Sequence, residues 1–103
     1  MEIMIRQNDG GVVIDVSGRM VYGAPVRDLQ DAVRQLVGQG VELIVVNLEE
    51  VSHLDTSGLE ALVATYVTCK RSGRGLGVIN ANSRATEVLR VTKLDRLFAA
   101  SMG

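Results

Sequence analysis

Tryptophan is absent, phenylalanine occurs once and tyrosine twice, so aromatic residues make up only 3% of the chain. Its core must therefore be assembled from Val, Leu, Ile and Ala, and there are few platforms for stacking nucleotide bases. Cys69 is the single cysteine and His53 the single histidine. That excludes a disulfide framework and any metal site built on several of these ligands, and it suits a reducing compartment. Charge of one sign is missing too: 11 basic and 12 acidic side chains give a net charge of −1, with no block of like charge. Nucleic-acid binding calls for a clustered basic face and is not expected. Apolar runs stop at about four residues, as in Leu43 to Val46, where a membrane helix needs roughly 20. Met1 leads straight into Glu2-Ile3-Met4-Ile5-Arg6, unlike a secretory signal. A cytoplasmic protein without membrane contact or cofactor is the expectation.

What is present is a chain of 103 residues, 47% apolar, the size of one domain over 1–103. Ile3 and Ile5 alternate with Met4 and Arg6, and Val12, Ile14 and Val16 with Val13, Asp15 and Ser17. Between them, Asn8-Asp9-Gly10-Gly11 is a turn signal, so the opening reads as an antiparallel hairpin ended by Gly18. Pro25 suits the first turn of a helix. Val26, Leu29, Val33, Leu36 and Val37 follow at helical spacing, closed by Gly38 and Gly40. The stretch from Val41 to Leu48 is almost wholly apolar and β-branched, which predicts a central strand covered on both faces. A second helix is expected from about Ser57 to Ser72, with Leu59, Leu62, Val63, Tyr66 and Val67 inward. A short strand from Leu76 to Ile79, a helix from Ser83 to about Thr92, and one more helical turn at Leu94, Leu97 and Phe98 complete the reading. The order β-β-α-β-α-β-α, with right-handed crossovers, predicts an α/β fold. Its mixed four-stranded sheet has strand one antiparallel, strands two to four parallel, and three to four helices.

The chemistry concentrates in His53-Leu54-Asp55-Thr56-Ser57-Gly58-Leu59-Glu60, where a central strand gives way to a helix. Loops leaving the C-terminal ends of parallel strands are the usual place for a site. Ser57 and Glu60 have the spacing of a capping box, while Asp55 or Thr56 serves equally as N-cap. Ser57, His53 and Asp55 are close in sequence, but no Gly-x-Ser-x-Gly elbow surrounds the serine, which argues against an enzyme. His53 reads as a turn residue. Gly73 to Gly77 lacks the lysine of a phosphate loop and precedes a strand, so it reads as a turn. Cys69 reads as half-buried packing. Met20-Val21-Tyr22-Gly23 fits two arrangements, folded back onto the core or turned outward as an apolar contact patch.

The run Leu54-Asp55-Thr56-Ser57-Gly58-Leu59 resembles the Asp-Ser/Thr-Ser-Gly-Leu motif of STAS domains, the fold of bacterial anti-sigma factor antagonists. The resemblance extends to the hairpin, Gly18, the apolar strand and the closing Val91-Thr92-Lys93-Leu94-Asp95-Arg96-Leu97-Phe98. It implies phosphorylation of Ser57, with Thr56 the less favoured neighbour, by an anti-sigma factor that is itself a serine kinase, and reversal by a serine phosphatase. In that setting Asp55 either orients the Ser57 hydroxyl or simply caps the helix, and Gly58 supports the phosphosite. Met20, Val21, Tyr22, Gly23, Leu59 and Glu60 would face the partner. The alternative role within the family is a STAS subunit of a larger signalling or lipid-transport assembly, with Ser57 a contact residue. The chain departs from the antagonist pattern at Val21, where an acidic residue is common, and at Asn47, where Asp is common. It also ends at Gly103, short of a further strand and helix, which would favour a homodimer.

Overall fold

The computed structural model describes residues 1–8, 10–91 and 93. Strands β1 (Glu2–Asn8) and β2 (Gly11–Met20) are followed by helix α1 (Ala24–Gly38) and strand β3 (Leu43–Leu54). Helix α2 (Thr56–Arg71), strand β4 (Gly75–Ile79) and helix α3 (Ser83–Val91) complete the order. The sheet runs β1-β2-β3-β4; as expected, β1 is antiparallel to β2 and the other pairs are parallel. Asp9 of the opening turn lies outside the described residues, as do Thr92 and the final helical turn expected at Leu94, Leu97 and Phe98. Gly10, at φ +78°, has the left-handed backbone that a two-residue hairpin loop requires.

Because the strands lie in sequence order, both right-handed crossovers advance across the sheet in one direction and set their helices on the same face. Burial agrees. Ile14, Val16, Ile44, Val46, Leu48 and Leu76 of the sheet form one cluster with Leu29 and Val33 of α1, Leu62 and Cys69 of α2, and Leu89 of α3. The expected two-sided burial of β3 is thus corrected: Ile44, Val46 and Leu48 are buried, Val45 and Asn47 half-buried, and Leu43 exposed. Its apolar run arises because it is the inner strand of a one-sided sheet, with its back shielded by neighbouring strands.

A polar chain crosses that back face. Arg6 Nε donates to Asp15 Oδ2 at 2.6 Å, Asn47 Nδ2 to Asp15 Oδ1 at 2.8 Å, and Asn80 Nδ2 to Asn47 Oδ1 at 3.2 Å. The hydrogen bond from Arg6, reinforced by Asn47, holds the Asp15 carboxyl below the usual carboxylate range. Asn47 therefore has a local reason: an aspartate there would face Asp15 with a second negative charge.

Boundaries differ from expectation in β2, β3 and β4. Gly18 does not end β2; it lies within it at φ +92°, where the register against β3 shifts. β3 continues past Leu48 through polar Glu49, Glu50, Ser52 and His53 to Leu54, because two such bulges keep it paired with β2. In α2 the buried stripe is Gly58, Leu59, Ala61, Leu62, Thr65 and Cys69, whereas Tyr66 and Val63 are half-buried and Val67 exposed. The Thr65 hydroxyl is satisfied inside the helix by donating to the Leu62 carbonyl at 2.8 Å. Cys69, expected half-buried, is fully buried, and desolvation pushes its thiol up. Gly75 also joins β4, so Gly73 is the turn residue proper, at φ +71°.

Candidate functional site

The C-terminal ends of β2 and β3 stand side by side, Met20 paired with Leu54, and the loops leaving them meet at Asp55. This residue, in extended backbone, is the N-cap of α2. Its Oδ1 accepts from the Gly58 N–H at 2.8 Å, and its Oδ2 from the Tyr22 N–H at 3.2 Å. One carboxylate thereby satisfies an orphan donor of the helix start and ties the β2–α1 loop to it. These N–H groups, Gly58 first, hold the Asp55 carboxyl below the usual carboxylate range. Of the caps that the sequence left open, the structure takes Asp55, not the box of Ser57 and Glu60 or Thr56, and Ser57 is the second residue of the helix.

Gly58 is where the two loops touch. A Cβ there would run into the Met20 carbonyl oxygen and the Leu54 side chain. No larger residue lets the first turn of α2 lie so close to the end of β2.

The expected site residues divide by exposure. Thr56, Glu60 and Tyr22 are exposed, Tyr22 at 81%, and Ser57, Val21 and Gly23 are half-buried. Met20 and Leu59, expected on the partner-facing side, are buried and belong to the core. Of the two arrangements open to residues 20–23, each end takes one: Met20 turns inward and Tyr22 outward. With Met20 and Leu59 set aside, the outward surface is Val21, Tyr22, Gly23, Thr56, Ser57 and Glu60.

Arg19, which sequence reasoning passed over, joins it together with His53. Arg19 and His53 are register partners across β2 and β3. With Val21, Tyr22, Leu54 and Asp55 they line a cleft of about 380 Å³. His53, expected in a turn, is an exposed strand residue whose Nδ1 lies 3.0 Å from Ser52 Oγ. A hydrolytic arrangement of Ser57, His53 and Asp55 does not form, since the imidazole is engaged with Ser52 and the carboxylate with backbone N–H groups. Asn82 was also missed. It caps α3 through the Ala85 N–H at 2.9 Å and donates to the Val51 carbonyl, pinning α3 to β3.

What remains is an alcohol at the positive end of a helix, flanked by exposed side chains. Such a place tolerates an added anion. Among the described residues, no group of acidic, cysteine or histidine side chains is arranged to hold a metal ion, and no helix is long and apolar enough to cross a membrane.

Comparison with known proteins agrees with this architecture. The STAS domain family model matches residues 2–102. An anti-sigma-B factor antagonist of Bacillus subtilis (strain 168) is 30% identical over 102 residues, which cover 98% of this chain and 91% of the relative. An anti-sigma factor antagonist from Mycobacterium paratuberculosis superposes with a TM-score of 0.74 at 28% identity, over 94% of this chain and 81% of that one. The phosphorylated form of the Bacillus cell fate determinant SpoIIAA superposes with a TM-score of 0.73, over 92% and 86% of the two chains; at 18% identity that likeness is one of fold. With its strand order, its Asp55-capped helix and this match along nearly all its length, the chain belongs to the STAS domain family.

Proposed function

We propose that this protein is an anti-sigma factor antagonist whose binding is switched by phosphorylation of Ser57. The observation that carries the reading is the division of labour at the start of α2. Asp55 does the capping, so the hydroxyl of half-buried Ser57 is not needed as the cap, and it stands beside exposed Thr56, Glu60 and Tyr22. The relatives named as anti-sigma factor antagonists and the phosphorylated SpoIIAA of the same fold support it.

The switch needs no change of shape. A phosphate on Ser57 adds about −1.5 to −2 charges within one helical turn of Asp55 and Glu60. The helix N-terminus compensates part of that charge within the protein. A partner pressed onto the patch has no such compensation and must also strip water from the phosphate. A loss of about 3 kcal/mol at the contact weakens binding roughly 100-fold. Unmodified, the protein would hold an anti-sigma factor kinase and so free a sigma factor; a serine phosphatase would restore that state.

The test is incubation with the cognate anti-sigma kinase and ATP, followed by intact-mass measurement and peptide mapping. One added phosphate on Ser57 is expected, absent in Ser57→Ala, and Ser57→Asp should stay folded while binding the kinase about 100-fold more weakly. Phosphate on Thr56 would move the switch by one residue. No phosphate, with Ser57→Asp binding like wild type, would leave Ser57 as a contact residue of a STAS subunit.

A further inference from the structure

β1 is an edge strand that nothing among the described residues covers. It pairs with β2 alone, in continuous register from Glu2 to Asn8, with no bulge and no proline. Two adjacent apolar side chains on it are exposed, Met4 at 68% and Ile5 at 49%. Edge strands are normally protected by bulges, prolines or brevity, because their free N–H and C=O groups recruit other strands. β1 has seven residues and none of these protections.

We propose that β1 pairs antiparallel with β1 of a second copy, centred on Met4, to join two four-stranded sheets into one of eight. The sequence of the strand is complementary to itself in this register. Glu2 stands opposite Arg6 of the partner subunit, Ile3 opposite Ile5 of the partner subunit, and Met4 opposite Met4 of the partner subunit. Residues facing each other in an antiparallel pair share a sheet face. The charged pairs and the methionines thus lie on the back face, and the isoleucines on the helix-bearing face. Arg6, already bonded to Asp15, would then bridge two carboxylates. Sliding the register by two residues either way loses this: Met4 would meet Arg6 or Glu2, and both charge pairs disappear. Opposite charges across strands stabilise a pair, and like charges disrupt it. Ser57 follows β3, two strands in from this edge, so both copies keep their switch surfaces free.

The two-fold axis supplies the test, because Met4 faces itself. In sedimentation velocity on the full chain, from about 1 to about 500 µM, wild type should shift from monomer to dimer. Met4→Lys and Met4→Glu should each remain monomeric, with thermal midpoints like wild type since the side chain is exposed. Mixed in equal amounts, the two variants should recover a dimer, Lys facing Glu. Glu2→Arg, which sets like charges across the pair, should weaken dimerisation at least tenfold. A wild type that stays monomeric throughout, or a dimer that survives Met4→Lys, would overturn the pairing.

Discussion

Gly58 and Asp55 make the site at the scale of single residues, and each has a measurable signature. In an ordinary helix, replacing glycine by alanine gains up to about 1 kcal/mol. At Gly58 the added methyl would meet the Met20 carbonyl, and overpacking of that kind costs about 1–3 kcal/mol. The clash should win, so Gly58→Ala is expected to lower the urea midpoint, against the helix trend. Asp55 gives a pH signature. Its carboxyl, like that of Asp15, has a folded-state pKa below the ordinary 3.8. The stability each contributes is therefore complete above that value and is lost as pH falls through the lower, folded value. The thermal midpoint should fall as acid passes that window, and the fall should be shallower in Asp55→Asn.

Ser57 and Asp55 could be singled out from sequence, but not told apart as caps. A serine three residues before a glutamate and an aspartate three before a glycine N–H are both sound N-terminal signals. The choice was made by Tyr22, 33 residues upstream, whose N–H adds a second bond to Asp55 that no local pattern contains.

Among the elements, α2 carries the sharpest lesson. Its inward stripe includes Gly58, Ala61, Thr65 and Cys69, small or weakly apolar residues that a hydropathy pattern undervalues. Val63 and Val67 carry more hydropathy yet face outward or partly so. Close packing against α1 and the sheet selects for small size, which composition alone does not reveal. Two substitutions check the orientation by chemical denaturation. Leu62→Ala should cost about 2–5 kcal/mol, whereas Val67→Ala should stay within about 1 kcal/mol. β3 was underestimated for the complementary reason. Glu49 to His53 look like loop, yet pairing with β2 depends on backbone groups and not on side-chain polarity. The α1 helix was legible nearly to its ends because Leu29, Val33 and Leu36 keep strict spacing and Pro25 and Gly40 mark its limits.

For the molecule as a whole, the sheet directions followed from counting elements and applying the handedness rule, whereas the sequential strand order came from the structure. That the helices share one face follows from the same rule once the order is known to be sequential. Ser57→Asp should therefore leave hydrogen-exchange protection in β2 and β3 close to wild type. The charge arrives at the rim of a scaffold packed on its other side.

The turns at Gly10, Gly40 and Gly73 are exposed, adopt positive φ, and precede β2, β3 and β4. They lie at the end of the strands opposite Asp55 and Ser57. Surface turns of this kind tolerate added sequence. A biotin-accepting peptide spliced at Gly40 would let the protein be moored to a sensor chip with its recognition surface facing the flow, where arrivals and departures could be timed before and after modification.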